Sequence, residues 1–290
     1  MSTQEATSSP RILVCAYSQI GHSCLKLLLE RKENVVGLFT HSDSCAESIW
    51  FESCSHLAKK YGVPVYEALD LKTVKELKPD ILFSFYYRTM IYEEIIALPT
   101  IGAFNMHGSL LPNYRGRAPI NWAIIQGETK SGATLHVMEK KPDAGDILDQ
   151  EAFEITLLDT AGSATLKLEK ACIKVLKRQL PLIRSGKFKR HLNDLSKGSY
   201  FSKRTPEDGR IFSSMTVKQA YDMIRALSPK ENYPPATFIE NEDVFELYEA
   251  LPIFNEFSFD YQPGTIIKKD TTSLKIVLKS GSILTVNSYG

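Results

Sequence analysis

From Arg11 onward the chain alternates short unbroken apolar runs with stretches of mixed polarity: Ile12-Leu13-Val14-Cys15-Ala16-Tyr17, a helical stretch over 23–32, then Val35-Val36-Gly37-Leu38-Phe39-Thr40. Unbroken runs indicate strands buried on both faces, the habit of a parallel sheet covered by helices. Further strands are expected over 63–66, 80–86 and 103–106, with helices over 46–61, 73–77 and 119–126. Two more strands, 133–139 and 147–155, flank the turn Pro142-Asp143-Ala144-Gly145. Apolar residues at Ala164, Leu168, Ala171, Cys172, Val175, Leu176 and Ile183 predict a long amphipathic helix, which Pro181 should bend or interrupt. After a helix over 217–227 the texture changes to five short strands at 236–239, 244–248, 264–267, 274–278 and 283–286, which suggest a small β-barrel of the OB type. The expected architecture is thus α/β, a mostly parallel sheet with helices on both faces, followed by a small OB-like barrel. The expected boundaries are a flexible tail at 1–10, an α/β domain at 11–191, a linker at 192–210 and a C-terminal domain at 211–290.

Composition narrows the function classes. With 290 residues, 43% hydrophobic and 24% charged, the chain can bury one large core and a smaller one. A net charge of +1 supplies no global basic field, so small-molecule partners are expected rather than nucleic acid. The five cysteines are scattered and never form Cys-x-x-Cys, which argues against a disulfide framework and a zinc site and favours a reducing cytoplasm. The first ten residues are polar and no apolar run reaches the roughly 18 residues that span a bilayer, so neither export nor membrane insertion is expected. The ordinary apolar residues leave room for a homo-oligomer interface, and the oligomeric state itself is not legible.

The chemistry-bearing residues concentrate after the strand at 103–106. Asn105 and His107 are one residue apart, so an extended chain points both to one side. The loop that follows, Gly108 to Pro119, is dense in Gly and Pro and holds Arg115 and Arg117, as ligand-holding loops are. Asp143 sits on the turn between two later strands. Amide, imidazole and carboxylate are an oxyanion donor, a proton shuttle and the partner that tunes the shuttle, the set that acyl transfer to an amine requires. The plainer alternative is a turn-capping Asn105 and a structural His107. His136, on a strand, reads as a core or supporting hydrogen-bond residue, and Asp146 as a solvated turn residue. A dinucleotide fold is disfavoured because Tyr17-Ser18-Gln19-Ile20-Gly21-His22-Ser23 carries one glycine where Gly-x-Gly-x-x-Gly is needed, Gly21 merely letting the chain turn into the helix. Metal binding is not expected, since the histidines lack ligand spacing. The basic run Lys187-Phe188-Lys189-Arg190-His191 reads as a solvated helix end or linker.

The run Phe104-Asn105-Met106-His107-Gly108-Ser109-Leu110-Leu111-Pro112, followed by Arg115-Gly116-Arg117-Ala118-Pro119-Ile120-Asn121-Trp122 and Asp143-Ala144-Gly145, resembles the signature of the formyltransferases that use 10-formyltetrahydrofolate. Within that family, Thr40-His41-Ser42-Asp43, Phe83-Ser84-Phe85-Tyr86-Tyr87-Arg88 and Arg204-Thr205-Pro206-Glu207-Asp208 are similar to the formyltransferase domain of the bifunctional polymyxin-resistance proteins, which formylates UDP-4-amino-4-deoxy-L-arabinose. The likeness runs from about 11 to 238 and weakens beyond. It implies a Rossmann-like catalytic domain and transfer of a formyl group to the amine of a nucleotide-linked 4-amino-4-deoxy sugar, either that UDP sugar or a dTDP-4-amino-4,6-dideoxyhexose. It further implies His107 as proton shuttle, Asn105 as oxyanion stabiliser and Asp143 tuning His107. By the same resemblance, folate lies against Thr89, Met90 and Ile91, against Arg117, and against Glu139, Lys140, Lys141 and Pro142, with no metal. Methionyl-tRNA formylation and hydrolysis of formyltetrahydrofolate are the alternatives the family allows.

Overall fold

The computed structural model describes residues 9–42 and 51–290. The strands in chain order are β1 (Ile12–Ala16), β2 (Val35–Phe39), β3 (Val65–Tyr66), β4 (Ile81–Phe85), β5 (Gly102–His107), β6 (Arg115–Gly116), β7 (Lys130–Val137), β8 (Ile147–Glu154), β9 (Tyr200–Phe201), β10 (Ala236–Glu240), β11 (Asp243–Ala250), β12 (Ile266–Lys269), β13 (Leu274–Val277) and β14 (Ile283–Tyr289). The α-helices are α1 (Ser18–Glu30), α2 (Cys54–Lys60), α3 (Leu71–Leu77), α4 (Glu93–Ile96), α5 (Pro119–Ile125), α6 (Ala161–Arg184) and α7 (Val217–Ala226). Part of the helix expected over 46–61 falls outside the described residues.

Seven strands form one sheet in the order β3-β2-β1-β4-β5-β7-β8. The pairs β2–β3, β1–β2, β1–β4 and β4–β5 are parallel, and β5 with β7 is antiparallel. The apolar runs read from the sequence are its centre: every residue of β1 and β4 is buried. Phe83 stacks on Phe85 and tilts against Phe104 of the neighbouring strand, so the sheet centre is filled by rings. Each such buried side chain contributes about 2–3 kcal/mol relative to exposure. Because β1, β2, β4 and β5 run in parallel, their carboxyl ends share one edge, where sheets of this kind take ligands.

Two local expectations change. α1 begins at Ser18, inside the stretch expected as a turn, and Gly21 lies within it. A Cβ on Gly21 would meet the Phe85 carbonyl oxygen at 2.8 Å, so this glycine permits close helix-to-strand packing rather than a turn. α6 runs through Pro181 without interruption. The proline stands three residues before the helix end, so its missing N–H removes a bond only in the last turn, which Ser185 N–H and Oγ close back onto the Pro181 carbonyl.

Chain contacts divide the protein into two units, one of residues 1–115, 132–151 and 169–199, the other of 116–131, 152–168 and 200–290. In the second, β10 to β14 make one antiparallel sheet in the order β10-β11-β14-β13-β12. Its first and last strands come together where the Ile266 N–H donates to Glu240 Oε1 at 2.7 Å, which curls the sheet toward the expected barrel. α7 is set by a capping box, Thr216 with Gln219, and presents Val217, Ala220, Met223 and Ile224 to a core shared with Phe238, Phe245, Leu247, Leu274, Ile276 and Val286.

Candidate active site

β5 ends at the sheet edge with Asn105 and His107 projecting to the same side, as the one-residue spacing requires. The antiparallel register of β5 with β7 sets His136 opposite Asn105 and Thr134 opposite His107. Asp143 reaches the same point from the β7–β8 turn. Its φ is 50°, the left-handed region that Asp tolerates better than most residues. Two residues on, Gly145 is obligatory, because a Cβ there would fall 2.1 Å from the Val137 carbonyl oxygen. Backbone shape thus carries the carboxylate inward.

The three expected side chains converge, and His136 joins them. His107 Nδ1 lies 3.4 Å from Asp143 Oδ1, with both side chains nearly buried. Asn105 Nδ2 is 3.4 Å from the same carboxylate oxygen and 3.1 Å from His136 Nε2. His136 Nδ1 faces the Val137 carbonyl at 2.7 Å. A carbonyl only accepts, so that nitrogen carries the hydrogen, and Nε2 is left to accept from Asn105. The 3.5 Å from His136 Nε2 to Asp143 Oδ1 is then a contact, not a bond. By the same rule, His107 Nε2 donates to the Tyr114 carbonyl at 2.8 Å, which leaves Nδ1 facing Asp143.

The loop after β5 is held from several directions. Thr134 Oγ1 donates to the Ser109 carbonyl at 2.6 Å and accepts from the Leu111 N–H at 3.2 Å. Gln150 Nε2 donates to the Leu111 carbonyl at 2.9 Å, and Ser109 Oγ to that of Asn113 at 2.6 Å. Tyr114, whose carbonyl holds His107, gives its N–H to Ser199 Oγ at 2.9 Å. Behind the turn, Asn193 Nδ2 donates to the carbonyls of Asp143 and Gly145 at 3.0 and 3.2 Å.

The residues expected to meet folate fall into two groups. Thr89 and Met90 are exposed just past β4, whereas Ile91 is buried in the cluster of Leu13, Cys15 and Leu82, so only its backbone can face a ligand. Glu139, Lys140, Lys141 and Pro142 are exposed on the turn that carries Asp143. Exposed Lys140 and Glu93 stand 3.4 Å apart, so this turn and the helix after Ile91 border one another. Nearby, burial, with Cys15 adding to it, pushes the Tyr87 phenol up to about 12, so it stays neutral. Arg117 belongs to the second unit, exposed, its N–H on the Phe201 carbonyl at 3.0 Å.

Also in the second unit, Trp122 stacks on Phe201 with centroids 4.8 Å apart, and the Arg204 guanidinium stands 6.0 Å from the Trp122 ring centre. Burial holds the Arg204 guanidinium below its ordinary range. Arg204 Nε and Trp122 Nε1 are both buried donors without an acceptor among the described residues. That pattern suits a ligand rich in acceptor oxygens.

Sequence reasoning placed His136 among supporting residues; its role follows from the β5–β7 register, which the sequence does not announce. Asn193 carried no signal, lying in a polar stretch. Among the described residues no group of three or more His, Cys, Asp or Glu is placed to hold a metal ion, and no helix is long and apolar enough to cross a membrane.

Two family models match the chain: formyl transferase over residues 15–180 and the formyl transferase C-terminal domain over 203–288. Among solved structures, an N-formyltransferase from Helicobacter canadensis in complex with folinic acid and dTDP-3-aminofucose is 22% identical, with 96% of this chain and 99% of that one covered and a TM-score of 0.78. WlaRD, a sugar 3N-formyl transferase crystallised with dTDP and 5-N-formyl-THF, is 20% identical over 97% of this chain and 98% of its own, with a TM-score of 0.76. HypX from Aquifex aeolicus matches 96% of this chain with 45% of its own, at 17% identity and a TM-score of 0.67.

Proposed function

This chain belongs to the formyl transferase family, and from that premise we propose that it moves the formyl group of 10-formyltetrahydrofolate onto the amine of a nucleotide-linked 4-amino-4-deoxy sugar. The observation that carries the reading is the convergence of Asn105, His107 and Asp143 at the carboxyl edge of the sheet. Two relatives of the same fold are described with formyl-folates and with dTDP or a dTDP-amino sugar, which supports both substrate classes. The acceptor-seeking pair Arg204 and Trp122 supports a nucleotide's phosphates. The Arg204-Thr205-Pro206-Glu207-Asp208 run favours a 4-amino sugar, UDP-4-amino-4-deoxy-L-arabinose or a dTDP-4-amino-4,6-dideoxyhexose, over the 3-amino sugars of those relatives.

The chemistry follows from the residues. The amine attacks the formyl carbon, an N–C bond forms, and the carbonyl oxygen becomes an oxyanion. Asn105 Nδ2 donates to that oxygen by turning away from the carboxylate it now touches at 3.4 Å, while His136 keeps the amide's orientation. His107 takes the proton from the attacking nitrogen at Nδ1, beside Asp143, whose negative charge stabilises the imidazolium. The proton then passes to N10 of the folate as the C–N10 bond breaks, leaving tetrahydrofolate and the N-formyl sugar. Thr89, Met90, the Ile91 backbone and the 139–142 turn are the surfaces of the first unit that we assign to folate.

Incubation with 10-formyltetrahydrofolate and UDP- or dTDP-linked 3- and 4-amino sugars tests the reading. An N-formyl 4-amino sugar is the expected product. Formate release without an amine would instead mark a hydrolase, and formylation of methionyl-tRNA alone would reject the sugar acceptor. With its net charge of +1, the chain offers little of the basic field that tRNA capture draws on.

A further inference from the structure

We propose that Asn193 is a positioning residue for the Asp143 carboxylate, acting through the backbone of the 143–145 turn; this rests on the role given to Asp143 above. Asn193 Nδ2 spends its two hydrogens on two carbonyls of one turn, those of Asp143 and Gly145. Since both partners only accept, the amide can sit in one orientation alone. Its Oδ1 is then buried without a hydrogen-bond partner among the described residues, a cost that the two donated bonds must offset. At 4% exposed, the amide is committed to the two bonds it donates.

What it fixes is the direction of Asp143. That residue stands at φ 50°, so a small rotation of the turn sweeps its carboxylate sideways. Asn193 is itself well anchored. On one side His191 exchanges both backbone bonds with Ile147 at 2.8 Å, extending the sheet beyond β8. On the other, Asp194 Oδ1 accepts from Ser196 N–H and Oγ at 3.2 and 2.6 Å. The stretch that joins the two family matches therefore carries a support of the catalytic turn.

The test is a double-mutant cycle on kcat, with Asn193→Ala and Asp143→Asn measured singly and together. Loss of the two bonds lets the turn shift by a fraction of an ångström to an ångström, and Asn193→Ala should lower kcat about 10- to 100-fold. KM for both substrates should move less than about 3-fold, because the residue touches neither. In the Asp143→Asn background the same replacement should change kcat less than about 2-fold, since the group it positions is gone. Asn193→Asp, near-isosteric but with no hydrogens to donate, should reproduce the loss if the alanine variant folds poorly. Full kcat in either Asn193 variant overturns the inference, as does an equal fractional loss in both backgrounds, which marks general damage. A normal rate in Asp143→Asn alone would instead remove the catalytic reading of Asp143, and this inference with it.

Discussion

Two buried carboxylates in this protein are treated in opposite ways. Asp159, in the second unit, is saturated: Thr156 N–H and Oγ1 reach it at 2.6 and 2.8 Å, Ser163 Oγ at 2.8 Å, and Lys167 pairs with it closely. Arg225 donates to its backbone carbonyl at 2.7 Å and to Asp222 at 2.8 Å, so the network closes on itself. Asp143 instead keeps the Asn105, His107 and His136 side chains at 3.4 to 3.5 Å. Asp159 is thus a joint between a loop and the start of α6, whereas Asp143 sits where an amide and two imidazoles meet. The two side chains are similarly buried, 7% and 10% exposed, and differ in the kind of partner around them.

The comparison breaks most clearly at His107. His107→Ala should lower kcat on the order of 10³-fold while leaving the melting temperature nearly unchanged, as turnover and calorimetry on one preparation would establish. Asp159→Ala should do the reverse. Removing one partner from the buried network costs about 3 kcal/mol of stability by denaturant unfolding, with turnover per folded molecule kept. Gly145→Ala tests the shape of the turn that carries Asp143: its Cβ, 2.1 Å from the Val137 oxygen, must displace the turn, and kcat should fall about 10²-fold with a smaller loss of stability. The smallest effect is in acid. Burial alone would raise Asp159, but the donors from Lys167, Thr156 and Ser163 outweigh it and bring it down to about 2. A depressed folded value means stability fully present above the unfolded carboxylate value of about 4 and lost as pH falls from there toward 2. Acid titration followed by circular dichroism should show that component in the parent protein and lack it in Asp159→Asn.

The same contrast explains what was legible in the sequence. Strands such as Ile12–Ala16 and Ile81–Phe85 announce themselves because a strand buried on both faces has no polar positions to interrupt the run. The start of α1 did not, because no side chain caps it and Gly21 serves packing against β4 rather than punctuation. Asn105 and His107 were readable together, since their spacing is a local property of one strand. Asp143 stood out as a carboxylate on a glycine turn. The remaining partners depend on long-range register: His136 meets Asn105 across β5 and β7, 31 residues away, and Asn193 meets Asp143 from 50 residues on. Such pairings have no periodicity to betray them.

The chain passes from one unit to the other five times, after residues 115, 131, 151, 168 and 199. The segment 116–131 follows directly on the Asn105–Arg115 motif, yet its helix α5 packs with α7, and Asn121 Nδ2 bonds the Ala226 carbonyl at 2.7 Å. Two family matches laid end to end thus suggest a seam that the folded chain does not have. Cutting near residue 200 would strip the buried side chains Ile120, Ala123 and Ile124 of their cover and leave a sticky fragment. Recombination between relatives would succeed only by carrying 116–131 and 152–168 along with the C-terminal portion, so the unit that exchanges is three separate stretches of sequence rather than one.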